Sequence, residues 1–341
     1  MSPAATNPVP IPDGRVLAGI RATSDQHIGN YLGAIQNFVD LQERFECIYS
    51  IVDLHSLTTL EETAELAANV HETALILLAA GIDPARSILY VQSHVPEISE
   101  LHLLLSMVVP NGWLLRVPTF KEKAREQPDN VNYGLVGYPV LQTADIVMYK
   151  ATHVPVGQDQ LAHLELAREI VRRFNRHFGE TFPEPRPELT EAPLVMGLDG
   201  ARKMSKSLGN HISIAGDEAA TAKRVRSAVT DPKRARRNDP GRPEVCNVYA
   251  LHEFFDPEER PRIYEQCTSA GIGCVDCKDM LAGAINERFR ELRARRDDLA
   301  AKPETVRAIL ADGADRARAI AGEVLREVQE RMGLPPTQTS R

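Results

Sequence analysis

The chain has 341 residues, of which 43% are hydrophobic and 26% are charged. This composition is ordinary for a folded globular protein, and the length leaves room for two domains. The formal net charge of −7 and the pI of about 5.9 argue against a general nucleic-acid binder, although local basic patches could still bind RNA. No stretch approaches the roughly 18 apolar residues that a transmembrane helix requires, which excludes a membrane-spanning protein.

The N-terminal segment carries four prolines within its first 12 residues. It has neither the basic segment nor the apolar segment of a signal peptide. We interpret residues 1–14 as a disordered leader. Without an export signal, the expected location of the protein is the cytoplasm.

Strand-like and helix-like patterns alternate in the first half of the chain. Strands are expected at residues 15–21, 47–53 and 88–92, and helices at about 28–45, after a capping box formed by Thr59 and Glu62 and ending at Gly81, and at 159–178. This order predicts an α/β fold, a Rossmann-like doubly wound parallel sheet. Ligands of such sheets bind at the carboxyl ends of the strands, where the loops containing residues 24–27 and His55 are expected.

Helical periodicity predominates after residue 208, from 218 to 229 and from 278 to 332. A mostly helical C-terminal domain, residues 209–341, is therefore predicted to follow a catalytic domain at residues 15–208. Its basic residues form three clusters: Lys223, Arg224 and Arg226; Lys233, Arg234, Arg236 and Arg237; Arg288, Arg290, Arg293, Arg295 and Arg296. Each cluster is either a solvated helix face or a surface for RNA phosphates.

The first candidate motif is His27-Ile28-Gly29-Asn30, between the first predicted strand and the first predicted helix. A helix N-terminus favours negative charge, glycine lets a nucleotide lie close to the backbone, and a polar side chain can donate to a phosphate oxygen. The motif therefore suits ATP phosphates. The alternative is a glycine that packs against the sheet beside an incidental histidine.

The second candidate motif is Lys203-Met204-Ser205-Lys206-Ser207, followed by Gly209. Two lysines three positions apart on a loop rich in serine and glycine suit a polyphosphate that gains charge in the transition state. This motif is longer and more specific than the first. The alternative is a basic surface loop without a ligand.

The two motifs, about 175 residues apart, resemble the two signatures of class I aminoacyl-tRNA synthetases. Other stretches resemble the tryptophanyl-tRNA synthetases in particular: Gly19-Ile20, residues 30–34, 51–55 and 144–146, Tyr138-Pro139 and residues 154–160. The similarity extends from about residue 16 to about residue 333. It implies that the helical C-terminal domain binds the tRNA anticodon and that the protein is a homodimer.

The resemblance implies an ATP site built from both motifs, with catalytic residues His27, Asn30, Lys203, Ser205 and Lys206. The implied ATP-binding residues are Arg21, Ala22, Thr23, Gly29, Asn30, Gly157, Asp159, Val195, Lys203, Met204, Ser205, Lys206 and Ser207. Gly157 and Asp159 would hold the adenosine, and Val195 would contact the adenine. The two lysines and Ser205 would stabilise the pyrophosphate leaving group together with Mg²⁺.

The resemblance also implies a tryptophan site formed by Asp145, Tyr138, Gln142, Gln160 and His55. Asp145 would accept the indole N–H, Tyr138 and Gln160 would bind the amino-acid head group, and the other two would form the pocket wall. Phenylalanine would leave the buried carboxylate without a donor, which costs roughly 1–3 kcal/mol, or about tenfold in affinity for each 1.4 kcal/mol. The alternative for Asp145 is a helix cap or an ion pair.

Three positions depart from the commonest family pattern. Ala22-Thr23-Ser24 stands where many relatives have Pro-Thr/Ser-Gly, so a glycine close to the nucleotide is missing. Asn30 replaces the more usual histidine, as is familiar among tryptophanyl enzymes. Gln142 stands where many bacterial relatives have methionine, and glutamine also occurs beside the hydroxyl-reading carboxylate of tyrosyl enzymes.

Four of the five cysteines, Cys246, Cys267, Cys274 and Cys277, lie within 32 residues. In a cytosolic protein such grouping favours a metal or a cluster over disulfides. The thiols could bind a 4Fe–4S cluster or zinc, or remain reduced structural groups. Their surroundings resemble a subset of tryptophanyl-tRNA synthetases that carries a 4Fe–4S cluster near the anticodon site. We expect the cluster, with zinc as the alternative, and expect basic residues 233–237 to contact tRNA.

The sequence therefore predicts an enzyme of the tryptophanyl-tRNA synthetase family. It would use ATP and Mg²⁺ to activate L-tryptophan, load it onto tRNA(Trp), and bind neither membranes nor DNA. Three alternatives remain: a tyrosyl-tRNA synthetase, a small-molecule ligase of the same superfamily without tRNA, and a catalytically silent RNA-binding iron–sulfur paralogue.

Overall fold

The structure is a computed structural model that describes residues 13–22, 26–59, 62–189 and 193–335, except for the side chain of Asp159. Most of the predicted leader, as well as Thr23 and Ser24 of the first motif loop, therefore lie outside the described residues. Within these ranges, no helix combines the length and the apolar character needed to cross a membrane.

One sheet of five parallel strands forms the centre of the fold, in the order β3-β2-β1-β4-β5. The strands are β1 (Arg15–Ile20), β2 (Glu46–Ile51), β3 (Ile88–Val91), β4 (His153–Val156) and β5 (Arg186–Leu189). Val16 of β1 pairs with both Cys47 of β2 and His153 of β4, so the strand order reverses beside β1. The predicted doubly wound α/β fold is confirmed, and ligands of such sheets bind at this reversal.

Helices cover both faces of the sheet and form most of the C-terminal third. They are α1 (Ile28–Asn30), α2 (Gln36–Leu41), α3 (Asp53–Leu57), α4 (Leu66–Ala80), α5 (Glu97–Ser106), α6 (Asn111–Leu114), α7 (Pro118–Glu126), α8 (Tyr133–Met148), α9 (Leu161–Phe178), α10 (Glu218–Arg226), α11 (Asn247–Phe255), α12 (Arg260–Thr268), α13 (Cys274–Ala300) and α14 (Pro303–Arg331). The fully buried β2 and β3 have continuous apolar runs because helices cover both of their faces.

The helix predicted at residues 28–45 contains a π-helical turn, Tyr31–Ile35, between α1 and α2. Such turns occur frequently at functional sites. At the start of α1, the Asn30 N–H donates to His27 Nδ1 at 3.2 Å, and the His27 N–H donates to Asn30 Oδ1 at 3.0 Å. The two polar residues of the first motif therefore fix each other in a capping box.

Two predicted details of the helices are wrong. Thr59 and Glu62 do not cap α4, because the helix begins at Leu66 and its N-cap makes no side-chain hydrogen bond. Thr59 Oγ1 instead accepts from Arg21 Nη2 at 2.5 Å. The helix predicted at 278–332 is also two helices, α13 and α14, and Pro303 begins the second of them because its ring suits the first helical turn.

The last helix, α14, packs against β3, α5 and α8, whereas α10 and α11 pack on α13. Gly313 of α14 lies so close to β3 that a Cβ at this position would be 1.9 Å from the Leu89 carbonyl oxygen. Ala317 of α14 shares one buried cluster with Tyr90 of β3 and with residues of α5 and α8. The C-terminal helices are therefore divided between two cores, and the domain boundary at residue 208 stays a prediction.

Candidate active site

A cavity of about 350 Å³ opens at the carboxyl ends of β1, β2 and β4, a size typical of small-molecule sites. All five residues predicted to bind tryptophan line it: Asp145, Tyr138, Gln142, Gln160 and His55. The sequence analysis did not predict Thr119, Lys123 and His163, which line the same cavity. Thr119 and Lys123 lie on α7, a helix without a recognisable motif, so only the fold reveals their position.

Asp145, on α8, has only 4% of its surface exposed. Its two carboxylate oxygens accept from Gln92 Nε2 at 2.8 and 2.9 Å, and His55 Nε2 lies 2.9 Å from Oδ2. Because an ionised carboxylate only accepts, His55 Nε2 is the protonated ring nitrogen in this contact. These contacts cross the cavity wall and do not cap α8, so Asp145 can accept one further N–H from a ligand.

Two aromatic groups add polar contacts to the cavity wall. The Tyr138 hydroxyl lies 2.7 Å from His163 Nε2, and burial raises the pKa of this phenol, which therefore stays protonated. His102 lies close to His55 and Asp145. Burial and then the neighbouring His55 lower the pKa of His102, so its ring favours the neutral form and adds no positive charge beside Asp145.

A second cavity, of about 720 Å³, lies beside the first. Seven of the residues predicted to bind ATP line it: His27, Gly29, Asn30, Gly157, Val195, Lys203 and Met204. Gly33, Ala34, Gln158, Leu189, Pro193 and Leu194 line it as well and were not predicted. Gly157 directly follows Val156, which lines the first cavity, so the two cavities meet at the end of β4.

Backbone hydrogen bonds bring the two motif segments together although they are distant in sequence. The Ile28 N–H donates to the Ile212 carbonyl at 3.0 Å, and the Ile214 N–H donates to the Gln26 carbonyl at 3.0 Å. The Met204 N–H donates to the Val195 carbonyl, also at 3.0 Å. This short pairing aligns His27 and Lys203 on opposite sides of the same cavity.

Other predicted ATP-site residues do not line this cavity. Ser205, Lys206 and Ser207 lie on the exposed side of the second motif loop, where the Ser205 and Ser207 hydroxyls are 2.9 Å apart. Arg21 lines the first cavity, burial lowers its pKa, and its guanidinium donates to Thr59 and to the Ser56 carbonyl. Ala22 is buried, and Thr23 and the Asp159 side chain lie outside the described residues. The ATP roles of all these residues stay predictions.

The four C-terminal cysteines line one small cavity of about 20 Å³ beside α11, α12 and α13. Their thiols are free, and burial together with the three other thiols raises the pKa of Cys277 to about 12. Arg234 Nη1 donates to Cys267 Sγ at 3.5 Å, and His252 Nε2 lies 3.4 Å from Cys277 Sγ. As placed, no group of three or more His, Cys, Asp or Glu side chains in the described ranges is arranged to hold a metal ion.

Several arginines of the three basic clusters make contacts within the chain. Arg234 donates to the Ile272 carbonyl, Arg224 to the His211 carbonyl and Arg293 to the Ile214 carbonyl. Arg296 forms a two-point ion pair with Glu72 of α4. These arginines hold structural elements together, so any contact with RNA phosphates falls mainly to the other members of the clusters.

Comparison with known proteins places these two cavities in a family. The chain matches the family model described as tRNA synthetases class I (W and Y) over residues 12–290. It is 45% identical over 325 residues to the tryptophan–tRNA ligase of Deinococcus radiodurans, covering 94% of this chain and 98% of the relative. It is 43% identical over 326 residues to the tryptophan–tRNA ligase of Thermotoga maritima, covering 94% and 99%.

A solved structure gives the same result. The tryptophanyl-tRNA synthetase from Campylobacter jejuni, crystallised with ADP and tryptophan, superposes with a TM-score of 0.87 and 36% identity, covering 94% of this chain and 100% of that chain. The similarity to these proteins spans the sheet, both motifs and most of the C-terminal helices. The chain therefore belongs to the class I tRNA synthetases of the tryptophan and tyrosine family.

Proposed function

We propose that this protein is a tryptophan–tRNA ligase, which activates L-tryptophan with ATP and transfers it to tRNA(Trp). The observation that supports this most directly is Asp145, a buried carboxylate on the wall of a cavity of amino-acid size, ready to accept an indole N–H. The adjoining cavity, lined by residues of both signature motifs, supports ATP as the second substrate. Relatives named tryptophan–tRNA ligase align over nearly the whole chain.

The first step joins the substrates where the cavities meet. Tryptophan would place its indole N–H on Asp145 and its ring beside Leu17, Val52 and Ile146. Its carboxylate would then lie towards the end of β4 and attack the α-phosphorus of ATP. The bond from this phosphorus to the bridging oxygen breaks, and pyrophosphate leaves.

The protein contributes position and charge to this step and needs no covalent nucleophile. Lys203, from the wall of the ATP cavity, stabilises the negative charge that develops on the leaving group. Lys206 joins it when the exposed part of the loop moves over ATP. Mg²⁺, which is expected for this class of enzyme, would share that charge when bound. In the second step, a hydroxyl of the terminal adenosine of the tRNA attacks the tryptophanyl carbonyl, and AMP leaves.

Amino-acid-dependent exchange of pyrophosphate into ATP tests the proposal. We expect exchange with tryptophan and little with tyrosine or phenylalanine. The variant Asp145→Asn should raise the tryptophan KM by about tenfold or more, because an amide can turn its N–H₂ towards the indole donor. Asp129→Asn, at an exposed position, is the matched control. Exchange with tyrosine alone would instead identify a tyrosyl enzyme.

Assays with RNA distinguish the ligase from a small-molecule ligase and from a silent paralogue. A small-molecule ligase would show exchange without binding tRNA in a filter assay, whereas a silent paralogue would bind RNA without any exchange. Charging of tRNA(Trp) by the purified chain would exclude both. No observation on the described residues favours either of them over the tryptophan–tRNA ligase.

We also propose that Cys246, Cys267, Cys274 and Cys277 bind a 4Fe–4S cluster, with zinc as the alternative. The donor set supports this, because four free thiols meet at one cavity, and Arg234 and His252 can donate N–H groups to thiolate sulfur. The side chains would have to rotate towards one another on binding. When bound, the cluster would cross-link α11, α12 and α13 beside the predicted anticodon surface and transfer no electrons.

Analysis of iron and acid-labile sulfide in protein purified without oxygen tests the cluster. About four irons per chain would support it, and zinc would support the alternative. Cys274→Ser should weaken tRNA charging but leave tryptophan-dependent exchange intact, whereas Cys47→Ser, a buried cysteine of β2, is the control for loss of a thiol. An equal loss of charging and exchange in Cys274→Ser would contradict a role confined to tRNA.

The protein is further proposed to act in the cytoplasm as a homodimer. Leu103 and Met107 of α5 and Tyr133 of α8 are exposed by 53%, 66% and 68%, an apolar surface that a second copy could cover. Light scattering tests this, and Met107→Glu should shift a dimer towards the monomer. A wild-type protein that is monomeric at micromolar concentration would contradict the assembly.

A further inference from the structure

Gln92, the first residue after β3, belongs to no sequence motif and is completely buried. Its side-chain amide nitrogen donates to both oxygens of Asp145, at 2.8 and 2.9 Å. Its amide oxygen faces the His55 N–H at 3.4 Å. One side chain therefore contacts two residues that are predicted to bind tryptophan, although Gln92 itself does not line the cavity.

The orientation of Gln92 is fixed by the backbone around it. The Ser93 N–H donates to Asp53 Oδ1 at 3.0 Å, and the same oxygen accepts from the Leu54 N–H at 3.0 Å. Asp53 thus ties the turn after β3 to the start of α3, the helix that carries His55. Because strand, turn and helix are linked in this way, the Gln92 amide has little freedom to turn away from Asp145.

We propose that Gln92 is a positioning residue that gives the pocket its selectivity for an indole N–H. This rests on the proposed tryptophan specificity of the site. With both oxygens held by one N–H₂ group, the carboxylate cannot rotate about its bond to Cβ, and a free lone pair stays directed at the ligand. A ligand without a donor then leaves that lone pair unsatisfied, which is the source of discrimination.

Without the Gln92 amide, the carboxylate can rotate. It can then bond more fully to His55 or to water that enters the cavity, so that a ligand without an N–H loses less. Tryptophan binding should weaken, and binding of the donor-free ligand should weaken less. The predicted signature is therefore a loss of selectivity as well as a loss of affinity.

The experiment measures pyrophosphate exchange with tryptophan and with 3-benzothienylalanine, in which sulfur replaces the indole N–H. The test variant is Gln92→Met, which keeps the length of the side chain and removes its amide. We expect the tryptophan KM to rise about tenfold, the ATP KM to stay within about twofold, and the preference for tryptophan over the analogue to fall by about tenfold. Gln92→Glu, which places a second carboxyl group against Asp145, should reduce the preference further.

Gln42→Met is the matched control, because Gln42 is also a buried glutamine but bonds to the Val39 and Gly81 carbonyls, away from both cavities. It should lower the Tm without changing either KM or the preference. An unchanged preference in Gln92→Met, or equal changes in the KM values for tryptophan and ATP, would overturn the positioning role. Absence of tryptophan-dependent exchange in the wild-type protein would instead refute the proposed function itself.

Discussion

The side-chain oxygen of Asn210 accepts a hydrogen bond from the Ser205 N–H at 2.8 Å, across the base of the loop that contains the second motif. The Asn210 amide nitrogen also donates to Asp199 at 2.9 Å and to the Lys203 carbonyl at 3.3 Å. Gly197 leaves room for this buried side chain, since a Cβ there would lie 2.1 Å from the amide nitrogen. Asn210 thus anchors the part of the loop that holds Lys203 and leaves Lys206 on the exposed part.

Loss of this anchor should reduce the rate of tryptophan activation. In Asn210→Ala we expect the kcat of pyrophosphate exchange to fall by about tenfold to a hundredfold, because small displacements of catalytic groups have effects of this size. The tryptophan KM should not change, since Asn210 lies apart from that cavity. Asn175→Ala is a suitable control, because it also removes loop contacts, to Thr181 and Phe182. A wild-type kcat in Asn210→Ala would show that the anchor is dispensable.

The two lysines of the loop should differ in their kinetic effects. Lys203 lines the ATP cavity, so Lys203→Gln should raise the ATP KM and lower kcat. Lys206 lies outside that cavity, so Lys206→Gln should lower kcat by about a hundredfold or more and leave the ATP KM nearly unchanged. Steady-state exchange at varied ATP measures both constants, with Lys121→Gln, an exposed residue of α7, as the control. Identical effects of the two substitutions would contradict this division of roles.

Gly313 should tolerate no side chain. Gly313→Ala would force α14 away from β3, because the new Cβ meets the Leu89 carbonyl, and we expect a loss of about 1–3 kcal/mol in the free energy of unfolding. Gly322→Ala in the same helix is the control. Only the end of the flexible Arg326 side chain lies near that position, so alanine should stabilise the helix by about 0.5–1 kcal/mol. Thermal melts of both variants should therefore shift in opposite directions.

An ion pair between α14 and the end of α8 predicts a dependence of stability on pH. Lys150 donates to Glu327 at 2.7 Å, and this hydrogen bond, with a further contribution from Arg331, lowers the pKa of Glu327 below its usual 4.5. A depressed carboxyl pKa stabilises the fold above the unfolded pKa, and the stabilisation is lost as the pH falls through the folded pKa.

Glu327→Gln should therefore lower the free energy of unfolding at pH 7 by about 0.2–1 kcal/mol, since the pair is partly exposed. The difference from wild type should shrink below a pH of about 4.3. Denaturant titrations at several pH values measure it, and Glu323→Gln, at an exposed position on the same helix, provides the baseline. A difference that stays constant down to acidic pH would exclude the ion pair as its cause.

Local sequence patterns were sufficient for the sheet and for most residues of both cavities. Apolar runs placed β1, β2 and β3 within a few residues of their true bounds, because buried parallel strands need continuous apolar segments. Gln92 and Lys123 could not be found in this way. Their importance depends on tertiary position, at the end of a strand and on a helix of mixed composition, and neither position has a local signature. The cysteine spacing predicted proximity correctly but could not give the arrangement of the thiols.

The contact of α14 with β3 also sets an order of events during synthesis of the chain. β3 ends at Val91, and its turn supplies Gln92, whereas the helix that covers this strand extends from residue 303 to residue 331. A ribosome must therefore translate nearly the whole message before the core beneath the tryptophan cavity can close. A nascent chain that stalls before residue 303 would expose the apolar face of β3 and would have no completed pocket, so prematurely terminated products should be inactive and prone to degradation.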